Sequence, residues 1–199
     1  FMGVPCSNKT NQIDLQGHRG CRGKMPENTI PAFIKAVDIG VTTLEMDVCI
    51  TGDHKVVISH EPFVSHEICT RPDGSLITKD EERAFNIYKM SYDSLTRFDC
   101  GLKDHPRFPQ QTKISAYKPL LSVAIDSVET YIKRAGISRV NYNIEIKSTS
   151  SGDNKYHPKP SVFSELVLKD IKTKEIEKRI IIQSFDKRPI QYIHNKYPE

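Results

Sequence analysis

The chain has no tryptophan, and nowhere in its 199 residues does an apolar run approach the ~18 positions that a membrane-spanning helix needs. No Cys-x-x-Cys pair occurs among the five cysteines (Cys6, Cys21, Cys49, Cys69, Cys100), which argues against a zinc site of the finger kind. Charge of one sign is also missing: 29 Lys and Arg stand against 25 Asp and Glu, for a net +4, and the basic residues form no cluster of the kind a nucleic-acid footprint requires. There is no internal repeat and no low-complexity stretch. The opening residues Phe1 to Cys6 lack both the basic and the apolar region of a signal peptide and leave the compartment open. A periplasmic or secreted setting is slightly favoured over a cytoplasmic one; there, Cys69 and Cys100 would bridge the irregular segment between them. What remains is an ordinary soluble composition, 37% hydrophobic and 27% charged, of a length that suits one sizeable domain.

The pattern alternates strand and helix. Residues 13–16 predict a first strand that runs into the turn Gly17-His18-Arg19-Gly20. Asn28-Thr29 can cap a helix with Pro31 in its first turn; Ile30, Phe33, Ile34 and Val37 keep helical spacing until Gly40 stops it. Residues 43–50 alternate as a strand, and Val56-Val57-Ile58 forms another only a turn later. That connection is too short for a parallel crossover, so the two predict an antiparallel hairpin. Pairing Ile50 near Lys55 would set His60 opposite Glu45. Residues 62–118 carry a single short helical candidate at 92–98 and predict an insertion over the site. Beyond it come a helix at 122–135, a strand at 140–146, a helix at 161–174, a strand at 179–183 and a helix at 189–197, a parallel α/β order.

The chemistry-bearing residues fall at strand ends. Along a strand, side chains alternate, so Glu45 and Asp47 share one face while Met46 and Val48 share the other; Glu145 and Lys147 repeat that spacing. Three carboxylates gathered there suit a hard divalent cation, Mg²⁺ or Ca²⁺, which removes their mutual repulsion and polarises a phosphoryl oxygen. His18 and His60 suit proton transfer, Arg19 offers a planar fork for phosphate oxygens, and Lys147 a compact positive charge. Each element alone has a plainer reading: the Glu45/Asp47 pair as a solvated face, the His-Arg-Gly turn as a polar loop, Lys147 as a partner for the neighbourhood of Glu145. Glu27 reads as a first-turn helix residue that braces the loop. His54, His66, His105, His157 and His194 end no strand and read as surface or second-layer residues. The coincidence of the remaining groups at the same ends of successive strands favours the functional reading.

His18-Arg19-Gly20, Pro26-Glu27-Asn28-Thr29, Leu44-Glu45-Met46-Asp47-Val48, His60, Glu145-Ile146-Lys147 and Gln183-Ser184-Phe185 resemble, in order and spacing, the glycerophosphodiester phosphodiesterase family. The resemblance implies a TIM-type (β/α) barrel that hydrolyses glycerophosphodiesters to sn-glycerol 3-phosphate and an alcohol with one divalent cation. The residues matching His18 and His60 would be the acid–base pair, those matching Glu45, Asp47 and Glu145 the metal ligands, the one matching Arg19 a phosphate contact, and the one matching Lys147, a substrate-binding residue, would lie near the phosphate or the metal. It also implies attack by the glycerol 2-hydroxyl on phosphorus, through a cyclic phosphate. The family often has His-Asp where this chain has His60-Glu61. Residues 1–199 are expected to form a single incomplete barrel domain that lacks its C-terminal strands. A phospholipase-D-like or phosphatidylinositol-phospholipase-like lipase on the same barrel, and a non-catalytic phosphate or headgroup binder, stay open as alternatives. Neither the alcohol nor the oligomeric state can be read from the sequence.

Overall fold

The computed structural model describes residues 13–198, so the readings made on Phe1 to Cys6 fall outside the described residues. Its elements follow in order: β1 (Gln16–Gly17), α1 (Ile30–Ile39), β2 (Thr43–Ile50), β3 (Val56–Ile58), α2 (Tyr92–Leu95), α3 (Leu121–Ala135), β4 (Asn141–Ile146), α4 (Pro160–Thr173), β5 (Ile180–Gln183) and α5 (Lys187–Lys196). The parallel strands lie side by side in chain order, β1-β2-β4-β5, with β3 antiparallel on β2. Strands laid down sequentially in one direction, with helices between them, are the winding of a TIM-type barrel; a doubly wound sheet would reverse its order. Among the described residues the sheet is an open arc whose outer strands are β1 and β5.

Local chemistry accounts for the element ends. Thr29 caps α1 by accepting from the Ala32 amide, Pro31 sits in the first turn, and Gly40 closes the helix in the left-handed region at φ 92°. Gly136 closes α3 in the same way at φ 66°. The buried stripe of α3 is Leu121, Ala124, Ile125, Val128 and Ile132. These residues pack with Phe33, Val37, Phe163 and Val167 against Leu44, Met46, Val48, Ile144 and Ile146 in the main core. Val123, at helical spacing in the sequence, is 39% exposed and lies off that face. β2 is buried along its whole length because α1, α3 and α4 cover one face and polar residues fill the other.

The hairpin forms, with its register one residue from expectation. Ile50 pairs with Val56, and Val48 with Ile58, where pairing near Lys55 was expected. The Thr51 amide donates to the Lys55 carbonyl and the Lys55 amide to the Thr51 hydroxyl, which draws Lys55 into the turn and makes it one residue longer than expected. β3 ends at Ile58, so His60 stands on a loop and not opposite Glu45 in a ladder. Glu27 likewise precedes the Thr29 cap and belongs to the loop, not to the first helical turn. Lys147 follows the last residue of β4.

Residues 62–118 hold α2 and two 3₁₀ turns, Glu82–Ala84 and Ile87–Lys89. They build a second, smaller core from Val64, Ile77, Ile87, Leu95 and Phe98 on Cys49 and Val57. A Cys69–Cys100 disulfide, 31 residues apart in sequence, closes this segment on itself. Cross-linking a loop of that length restricts the unfolded chain by about 3–4 kcal/mol. The Cys69→Ala/Cys100→Ala variant should lose stability on that scale, with proteolytic cleavage in chemical-denaturant titrations appearing first within residues 62–118.

Candidate active site

The ladder itself builds the polar face. Asp47 pairs with Glu145, Glu145 with Gln183, and Glu45 with Asn143, so strand register sets these side chains in adjacent rows on the face away from the helices. Glu45, Asp47 and Glu145 are each under a tenth exposed, and one oxygen from each lies within 4.8 Å of the others. Three buried carboxylates this close repel one another. Burial first, and then the Asp47 charge, push the Glu45 carboxyl up to about 7.

The surroundings offset that repulsion piece by piece. The Arg19 amide donates to Glu45 Oε2 at 2.6 Å. Asn28 Nδ2 donates to Asp47 Oδ2 at 2.8 Å, and the Asp47 amide returns a 3.3 Å bond to Asn28 Oδ1. Lys147 Nζ lies 2.8 Å from Glu145 Oε1 and 3.6 Å from Asp47 Oδ1. Burial pulls that ammonium down, but the hydrogen bond to Glu145 and the Asp47 charge carry it above its ordinary value. Both loop residues that reach the carboxylates, Arg19 (φ 52°) and Asn28 (φ 57°), sit in the left-handed region, a strain held here by these contacts. Gly20 makes the turn possible: at φ 80°, an added Cβ would meet the Ala32 backbone at 2.7 Å.

All seven residues singled out from the sequence line one cleft of about 400 Å³: His18, Arg19, Glu45, Asp47, His60, Glu145 and Lys147, with Gln16, Asn143, Gln183 and Phe185 beside them. His18 Nε2 is 3.9 Å from Glu45 Oε2, and burial and the Arg19 charge hold its imidazole below the usual range. His60 Nδ1 is bonded to Glu61 Oε1 at 2.8 Å, which leaves Nε2 as its free nitrogen. The Arg19 guanidinium reaches Glu27 Oε1 at 2.6 Å and lies 3.3 Å from Asp47. Burial raises the Glu27 carboxyl, and Arg19 and Arg22 more than reverse this. A larger hollow of about 710 Å³ lies between α4 and α5, but no strand end reaches it and it gathers no comparable set of groups.

Several members of the site were assigned no role from the sequence. Asn143 donates to both Gln16 and Gln183, and Gln183 donates on to Glu145 Oε2. Asn143 stands two residues before Glu145, the same alternation that marks Glu45 and Asp47, so that signal was present. Asn28 was seen only as a helix cap. Of the five histidines set aside, His105 and His157 are buried: His157 Nε2 accepts from the Thr149 amide and Nδ1 meets the Pro158 carbonyl, pinning the loop after β4.

The sequence model of the Glycerophosphoryl diester phosphodiesterase family matches residues 18–199. A glycerophosphodiester phosphodiesterase of Caldanaerobacter subterraneus subsp. tengcongensis is 27% identical over 181 residues, covering 91% of this chain and 61% of that protein. The crystal structure of a glycerophosphoryl diester phosphodiesterase-type protein from Silicibacter pomeroyi superposes with a TM-score of 0.80 at 27% identity, covering 94% of this chain and 62% of its own. An Oleispira antarctica phosphodiesterase, solved in complex with the product sn-glycerol-3-phosphate, shares the fold with a TM-score of 0.68 at 22% identity, covering 94% and 63%. The chain thus spans about three fifths of the length of these relatives.

The raised Glu45 carboxyl sets a direction for stability in metal-free protein. A carboxyl bound more tightly to its proton in the folded state contributes stability in full below the unfolded value of 4.5 and loses it as pH rises through about 7. After chelator treatment, wild-type protein should lose about 2–3 kcal/mol more between pH 5 and pH 8 than Glu45→Gln does, read by urea unfolding at each pH.

Proposed function

The chain belongs to the glycerophosphoryl diester phosphodiesterase family, and on that premise we propose that it hydrolyses glycerophosphodiesters to sn-glycerol 3-phosphate and an alcohol by metal-assisted acid–base catalysis. The observation that carries this reading is the convergence of three buried carboxylates with two histidines in one cleft. The donor set fits a hard divalent cation: all three groups are carboxylates, they are crowded together, and one is driven toward protonation when only side chains compensate the charge. Glu45, Asp47 and Glu145 would hold the ion, Mg²⁺ or Ca²⁺. Bound there, it would neutralise the triad and act as a Lewis acid toward a phosphoryl oxygen.

The chain's own groups supply the rest. His18 and His60 both line the cleft and serve as the proton-transferring pair: one takes the proton of the attacking hydroxyl and the other delivers one to the departing alkoxide oxygen. Glu61, bonded to Nδ1, holds the His60 ring with Nε2 available, while burial and the Arg19 charge keep the His18 imidazole below its usual range, which suits His18 as the base and leaves His60 as the acid. Lys147 and Arg19 place positive charge where the phosphoryl oxygens gather negative charge. Glu27 fixes the Arg19 guanidinium from behind. The Cys69–Cys100 disulfide supports a periplasmic or secreted setting.

Release of glycerol 3-phosphate from glycerophosphocholine is the test. Activity should vanish in EDTA and return with Mg²⁺ or Ca²⁺; full activity in EDTA overturns the metal reading. His18→Ala and His60→Ala should each lower kcat by roughly 10²–10⁴-fold while leaving thermal unfolding unchanged.

A further inference from the structure

Beside the main cleft, with Arg19 and His60 lining both, lies a smaller hollow of about 120 Å³. Arg22, Ser65, His105, Arg107 and Lys118 line it. None of them is called on by the phosphodiesterase reading, and Lys118 stands in a segment whose pattern assigned it no role.

The charges do not cancel locally. Glu27 is taken up by Arg19 and Arg22, with His105 at 3.4 Å, and Glu61 by His60. Lys118 is 5% exposed, and among the described residues no carboxylate comes within 4 Å of its ammonium. Glu27, Glu61 and Asp47 attract it only from farther away. Arg107 has no acidic partner among the described residues either; it stacks over Phe108 at the exposed side, and Glu67 is the one remaining carboxylate of the lining, at the exposed rim. Arg22 Nε is buried with no hydrogen-bond partner. One hollow is thus lined by the unsatisfied Arg22 Nε donor and by the Lys118 charge, which among the described residues has no ion-pair partner. Leaving such groups unmatched costs several kcal/mol where an apolar side chain would cost nothing, so an acceptor that enters the hollow gains correspondingly. The volume is about four times the ~30 Å³ share of a water and suits one phosphate-sized group.

We infer that this cavity is an oxyanion pocket, and that it receives an acidic substituent, phosphate or carboxylate, carried by the alcohol side of the diester. The inference rests on the phosphodiesterase reading for its substrate, because Arg19 and His60 border both spaces, so that the alcohol side of a diester held in the cleft would have the pocket beside it. The pocket itself stands on its own geometry.

Inorganic phosphate titrated calorimetrically into the EDTA-treated full chain tests the pocket without turnover. Wild type should bind about one equivalent. Lys118→Met and, separately, the exposed Arg107→Gln should each weaken binding by about tenfold, the scale of one charge-assisted contact. The Arg107 variant keeps the test valid if the buried substitution does not fold. Equal affinity in wild type and Arg107→Gln together with a folded Lys118→Met, or no binding by wild type, overturns the pocket. A second arm compares kcat/KM for glycerophosphoglycerol carrying a terminal phosphate with that for glycerophosphocholine. The ratio should fall about tenfold in either variant; an unchanged ratio beside weakened phosphate binding overturns the substrate assignment in favour of free phosphate. If wild type turns over neither diester, the phosphodiesterase reading fails while the titration still decides the pocket.

Discussion

Three carboxylates at neighbouring ladder positions create an electrostatic problem that the rest of the site is arranged to solve. Asp47 and Glu145 are side by side because β2 and β4 pair in that register, and Glu45 shares their face because it stands two residues from Asp47. The ladder itself does nothing to relieve the repulsion. The relief comes from one amide (Arg19), one carboxamide (Asn28) and two cations (Lys147 and Arg19). Each of these is held in turn: Arg19 by Glu27, the turn by Gly20 against α1, and Glu145 by the Asn143–Gln183 chain. A divalent cation would take over much of this compensation and free Lys147 and Arg19 to meet an anionic ligand.

Much of this was legible in the sequence, for physical reasons particular to certain residues. β2 and β3 were readable to the residue because alternation is strong and a turn of Gly52 and Asp53 separates them. The α1 and α3 ends were readable because Gly40 and Gly136 take a conformation other residues avoid. The hairpin register was not, since a count of turn residues does not reveal that Thr51 bonds across to Lys55 with both backbone and side chain. Glu27 was placed in a helix because carboxylates favour first turns; its pull toward two arginines depends on a loop fold that no periodicity encodes. Lys118 was silent for the same reason: a single lysine between polar and apolar neighbours has no pattern, and its burial arises only from the packing of distant segments.

The strand order also bears on how the site is assembled. Because the parallel strands follow one another around the sheet, each loop at their C-terminal ends reaches the same rim, and residues as distant in sequence as His18 and Lys147 meet without any long excursion of the chain. His18 and Lys147 come from two such loops and His60 from the loop after the antiparallel β3, while the carboxylates stay on the strands, where packing fixes them most tightly.

The two hydrophobic clusters divide these duties. The larger one seats β2 and β4 and with them the acidic trio; the smaller one, cinched by its own covalent link, seats the wall that bears Lys118 and its basic neighbours. On the reading proposed above, exchanges within the smaller cluster's segment would re-tune which molecules are admitted while the acidic trio keeps its place.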